Sequence, residues 1–149
     1  MGTSITANTL KHVHSAEYGN RTVYTDEYSV LTTDLQAADV VKLCRIPAGT
    51  LVDRVVVKNT DLDSNATPTL TAKLGFSPTD GSAAPTADVT AIAANAAWGQ
   101  AAATTTYEIF PPYEVAKDSY VTIIVGTGAA TAATGTLNVK VEGEGLGVA

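Results

Sequence analysis

Residues 45–59, RIPAGTLVDRVVVKN, carry the pattern on which the fold turns. An apolar run ends at Ile46, Pro47-Ala48-Gly49 interrupts it, and a second run follows from Leu51 to Lys58. Pro47 and Gly49 suit positions i+1 and i+3 of a type I turn, because the pyrrolidine ring fixes φ where that turn needs it. The run LVDRVVVK is apolar on both faces and rich in valine, which predicts a strand covered on both sides or central in its sheet. Upstream, ADVVKLCRI (38–46) reads the same way. A hairpin is expected, and the first question is whether it is a site or a framework.

Working outward, strand signals dominate. TLTAKLGF (69–76) puts Leu70, Ala72, Leu74 and Phe76 on one face, and TLNVKVEG (136–143) does the same with Leu137, Val139 and Val141. Alternation of period two means one face in a core and the other in solvent, as antiparallel sheets allow. SYVTIIVG (119–126) is apolar on both faces, so it is expected to be central. Pro111 and Pro112 are expected to close the strand TTYEIF, since neither can donate to a ladder. GTGAATAATG (126–135) reads as a small-residue hairpin tip, and SPTDGSAAPTAD (77–88) as a loop. In DVTAIAANAAWGQAAA (88–103), Asp88 could cap one short helix that Gly99 would end. Short strands with turns at this spacing describe an antiparallel β-sandwich or barrel.

The first 35 residues differ. They are polar and Thr-rich, with Tyr18, Tyr24 and Tyr28 and little steady alternation. The division expected is residues 1–35 as an extended N-terminal arm or edge strands, and 36–149 as the sandwich. Tyrosine offers a large contact area with a polar tip and is enriched at interfaces. Leu10, His12, Tyr18, Tyr24 and Tyr28 are therefore the candidate partner-binding residues; the alternative is that the tyrosines pack over an end of the sandwich.

Composition narrows the function classes. The chain has 149 residues, a formal net charge of −6 and one cysteine, so it can form no intrachain disulfide and no Cys-based zinc site. It is long enough to bury roughly 68–70 % of its unfolded surface in one domain. Residues 1–60 hold six Lys/Arg against six Asp/Glu, and residues 61–149 hold three against nine. Nucleic acid is not an expected partner, because phosphate binding needs clustered Lys and Arg. No run reaches the 18 apolar residues of a membrane span, and the first residues lack the pattern of a secretory signal. With 24 Ala, 23 Thr and only 16 % charged residues, the surface is small and uncharged, which suits a protein that spends its life against others.

Candidate chemistry is sparse. His12 and His14 form an H-x-H pair that would need carboxylates to complete a metal site, and no metal or other cofactor is expected. DLDSN (61–65) begins like a calcium loop, but Ala66 and Ala72 stand where that motif requires Gly and Glu. Cys44 lies in an apolar run and reads as a buried core residue. The chain contains no G-x-S-x-G, P-loop or G-x-G-x-x-G motif, so no catalytic residues are named and no enzyme is expected.

The stretch LCRIPAGTLVDRVVVKNTDLDSNATPTLTAKLGF (43–76) resembles a segment of structural proteins of tailed bacteriophages. There an IPAG turn follows a strand, a valine-rich strand comes next, and a T-L-x-x-x-L-G strand follows the loop. The resemblance extends through YEV (113–115) and DSYVTIIVGTGAATAATGTLNVKVE (118–142), covering roughly residues 36–142. It is to capsid decoration, or cement, proteins: jelly-roll-like sandwiches on the outside of a shell, often trimers, that clamp neighbouring major capsid proteins after expansion. It implies the major capsid protein as partner, a homotrimer, and a place on the outer surface of a virion assembled in the host bacterial cytoplasm. The second expectation is a binding module of a head fibre or tail that recognises a host surface or carbohydrate. Such a face should show aromatic platforms, and Trp98 is the one tryptophan available.

Overall fold

The computed structural model describes residues 4–6, 20–82 and 88–146. Its strands are β1 (Ser4–Thr6), β2 (Arg21–Val30), β3 (Val40–Ile46), β4 (Thr50–Asn59), β5 (Thr71–Pro78), β6 (Asp88–Ala97), β7 (Ala103–Val115), β8 (Ser119–Thr127) and β9 (Gly135–Gly145). One sheet has the order β1-β3-β8-β5-β6 and the other β2-β9-β4-β7. Strands β2 to β9 are thus wound as 3-8-5-6 over 2-9-4-7, the strand order of a jelly roll. All their pairings are antiparallel, and β1 alone adds in parallel, beside β3. The expected all-β, jelly-roll-like sandwich is the observed fold.

Of the three strands read as apolar on both faces, two hold the centres of the two sheets and the third, β3, lies between the short β1 and β8. β4 lies between β9 and β7, and β8 lies between β3 and β5. Their inner faces, Val52, Val55 and Val57 against Val121, Ile123 and Val125, are at most 2 % exposed. Fully burying one such side chain contributes roughly 1.5–3 kcal/mol. Leu70, Ala72, Leu74 and Phe76, assigned to one face from their spacing, are all buried, as are Leu137, Val139 and Val141. Phe76 of β5 stacks on Tyr113 of β7 with ring centroids 4.7 Å apart, joining one sheet to the other. Cys44 is buried, as its apolar run implied.

Four local expectations are corrected. Asp88–Ala97 is a strand, not a helix: it hydrogen-bonds along β5, pairing Ala72 with Ala96 and Leu74 with Ala93. Sheet pairing here overrides the helix propensity of alanine, a weak prior of tenths of a kcal/mol per residue. RIPAGTLVDRVVVKN is not a hairpin, because β3 and β4 belong to different sheets. Its turn bonds outward instead, Gly49 N–H to the Val115 carbonyl and Ala48 N–H to the Asp118 carboxylate. Gly49 takes φ +76°, a conformation open to glycine. GTGAATAATG likewise arches between sheets, from β8 to β9. Finally, β7 runs through Pro111 and Pro112 to Val115, which an edge strand tolerates because one side of its backbone has no ladder to fill.

Where β4 bulges between Val52 and Arg54, Gly143 of β9 lies opposite Val52, and a Cβ there would stand 2.6 Å from the Leu51 carbonyl oxygen. Backbone cannot swing aside as a side chain can. Gly143→Ala is therefore expected to destabilise the sandwich by roughly 1–3 kcal/mol, read as a lowered denaturation midpoint in urea. An unchanged midpoint would mean that the bulge relaxes freely.

Candidate functional site

Four connections gather at one end of the sandwich: residues 31–39, 60–70, 98–102 and 128–134. Because they arch between sheets, with the single described hairpin (β5–β6) at the other end, their backbone donors must find partners outside the ladders. Aspartates supply them. Asp34 accepts from Leu31 N–H at 2.8 Å and from the Tyr28 hydroxyl at 2.7 Å. Asp39, 3 % exposed, accepts from Gln36 N–H at 2.8 Å. Between them Leu35 and Ala38 hold φ of 59° and 69°, a region that costs a residue bearing a Cβ about 1–3 kcal/mol. The burial of Leu35 and the bond from Ala38 N–H to the Val125 carbonyl hold them there.

Asp63 is the hub of this end. It is 1 % exposed, and its carboxylate accepts four backbone N–H groups, from Thr69, Leu70, Ala130 and Thr131, at 2.7–3.1 Å. The first two belong to its own connection and the others to the connection between β8 and β9. Burial by itself would raise its pKa, but the four donors outweigh that and hold the carboxyl at about 2. The stretch that began like a calcium loop thus spends its buried carboxylate on amides. Among the described residues no cluster of His, Cys, Asp and Glu is placed to hold a metal.

Charge divides the molecule along its length. The four connections contain no Lys or Arg, and the one exposed charge on them is Asp61. What they expose is Leu31, Thr32, Thr33, Asn65, Ala66 and similar small or neutral residues. Toward the opposite end lie the ion pairs: Arg45–Asp118, Lys117–Asp80, and a network across the outer face of the second sheet. In that network Glu142 meets Lys140, Arg21 and Arg54, while Arg21 also reaches Asp53 and Arg54 reaches Glu108. The Lys140 hydrogen bond is the largest influence holding the Glu142 carboxyl below its usual range, opposed by partial burial and reinforced by both arginines.

A cavity of about 230 Å³ opens where β6 turns into β7, lined by Asn59, Trp98, Gln100, Thr105, Tyr107 and a floor of Ala and Gly. Trp98 is 6 % exposed, so it is no exposed platform for a sugar. Its indole N–H is buried without a partner.

Of the residues singled out in the sequence, Leu10, His12, His14 and Tyr18 lie outside the described residues. Tyr24 and Tyr28 do not sit on a free arm: they occupy β2, which pairs along its whole length with β9. Both are half-buried against the core, Tyr28 anchored through Asp34 and Tyr24 with a buried hydroxyl that has no partner. Sequence reasoning missed the uncharged end. Its signal was present in the four connecting stretches themselves, none of which contains a Lys or Arg.

No family model matches the chain, and no curated protein matches it. Solved structures do. A chain of the cyanophage Pam1 capsid asymmetric unit superposes with a TM-score of 0.70 at 25 % identity, covering 92 % of this chain and 93 % of that one. A chain of the capsid of Ralstonia phage GP4 gives a TM-score of 0.78 at 19 % identity, covering 99 % and 100 %. A chain of the acid-stable capsid of Helicobacter pylori bacteriophage KHP30 gives 0.58 at 16 % identity, covering 92 % and 94 %. The chain is similar to phage capsid-associated proteins in fold as well as in sequence pattern.

Removing the hub should be costly. Asp63→Ala leaves four backbone N–H groups without their acceptor, and a loss of about 3 kcal/mol is expected in urea unfolding at neutral pH. Because the folded-state pKa lies below the ordinary value of 3.8, the stability it confers is present above that value and is lost as pH falls toward about 2. The gap between wild type and variant should therefore narrow in acid; a gap that stays constant down to pH 2 would contradict the ionised hub.

Proposed function

We propose that this protein is a structural component of a phage virion that decorates the outside of the capsid as a homotrimer and stabilises it by clamping neighbouring major capsid proteins. The observation that supports this is the likeness to capsid chains over nearly the full length of both partners. Those chains have the extent of this one, a single sandwich, and not that of a larger protein with a jelly roll inserted. The role requires no reaction and no cofactor. A ligand that binds only the expanded shell stabilises it by mass action, by about 2.7 kcal/mol per site at a hundred times the dissociation constant. Repetition over many sites adds avidity. The reading as a carbohydrate-binding module has less support, since Trp98 is buried, Phe76 and Tyr113 stack on each other, Tyr24, Tyr28 and Tyr107 pack against the core, and Phe110 is the one fully exposed ring among the described residues.

The test is co-sedimentation with expanded and precursor shells of the same phage. Binding to expanded shells alone is expected, with hundreds of copies per particle by quantitative mass spectrometry. Equal binding to both shells, or a handful of copies per particle, would sink the decoration reading. The N-terminal segment, with Leu10, His12 and Tyr18, is the proposed strap. Because β2 begins at Arg21, the informative deletion removes residues 1–19, taking the three-residue edge strand β1 with the strap, and leaves β2 in place. It is expected to leave the sandwich folded, by circular dichroism, and to abolish shell binding.

A further inference from the structure

We infer that the uncharged end of the sandwich is the surface through which copies of this chain meet one another. The inference rests on the homotrimer in the proposed function and names the surface that makes it. A chain of net charge −6 repels its own copies, and burying an unpaired charge in a contact costs several kcal/mol. The end built from residues 31–39, 60–70, 98–102 and 128–134 carries least of both problems: these connections have no Lys or Arg and one exposed carboxylate, Asp61, with Lys58 of β4 exposed beside them. The opposite end exposes Arg45, Glu114, Lys117 and Glu144, so copies meeting there would have to desolvate them. Among the occupants available to the neutral end, a second neutral end is electrostatically matched by construction.

Two further observations point to a contact there. A stable interface needs about 800 Å² from each partner. That is about a tenth of the 7495 Å² surface of this chain. The cavity lined by Trp98, Tyr107, Gln100 and Asn59 opens beside the same connections, which gives that end a concave feature for a second copy to fill. The connections themselves are already ordered by the Asp63 hub, so little conformational entropy remains to be lost on association.

The experiment is sedimentation velocity on the full chain over a concentration series, at low and high salt. Concentration-dependent association is expected, unchanged or modestly tighter in high salt, because screening relieves the repulsion of net charge while the contact itself has no ion pairs to lose. The double variant Ala66→Glu, Ala102→Glu puts two carboxylates on the end and should weaken association at least tenfold. Ala116→Glu, at the other end, should change it less than twofold. Unfolding midpoints of both variants close to wild type establish that folding is not the cause. A monomer at every concentration, association that weakens as salt rises, or equal weakening by Ala66→Glu, Ala102→Glu and by Ala116→Glu would each overturn the inference. The capsid reading is scored separately by shell co-sedimentation. A monomeric wild type that still binds expanded shells overturns only the self-contact. A wild type that self-associates through this end but ignores shells overturns only the capsid role.

Discussion

The carboxylate of Asp63 solves a problem that the winding of the chain creates. In the 3-8-5-6 over 2-9-4-7 arrangement, the connections at this end pass from one sheet to the other, and the backbone donors of an arch have no neighbouring strand to bond to. Four of those donors converge on Asp63, two from each of two connections. Replacing this by water would require an open, solvated end; replacing it by another side chain would require an acceptor with two oxygens and full charge. The surrounding bonds, Leu62 N–H to the Gly99 carbonyl and Ala133 N–H to the Leu62 carbonyl, extend the tie to a third connection. Gly128 brings in the fourth, since a Cβ there would lie 3.2 Å from the Ala37 nitrogen. The end of the sandwich is rigid because one buried charge is fully satisfied.

What the sequence made legible was burial, because burial follows from alternation. The faces of β5 and β9, the central places of β4 and β8 and the burial of Cys44 all came from counting which neighbours are apolar. What it hid was partner choice. Residues 45–59 and 126–135 have the composition of hairpins, and nothing local says that the flanking strands pair with different sheets; the bonds that decide it run to Val115 and Asp118, some 70 residues away. Ala-rich β6 was hidden for the same reason, since alanine fits either a helix or an edge strand and the pairing with β5 settles it. Asp63 was visible as an acidic residue in a failed calcium motif, but its role depends on donors from residues 130 and 131.

The edges of the sheets complete the picture of where this molecule can be touched. A strand at an edge offers unpaired donors and acceptors to any passing strand, and proteins blunt such edges with proline, charge and irregular register. β7 carries Pro111 and Pro112 with Glu108 and Glu114, and its register against β4 shifts at Val52/Arg54. β6 shifts register twice against β5. β2 turns Asp26 inward, 6 % exposed, and carries Arg21 and Glu27 on its outer face. Each device raises the cost of adding a strand from another molecule. None of them operates at the end held by Asp63, where the surface is neutral and its amides are already bonded. Burial there forfeits few hydrogen bonds to water and desolvates one exposed carboxylate. Physical cost therefore directs assembly away from the ladders and toward that end, which suits a protein that must join other proteins in a fixed geometry without joining them indiscriminately.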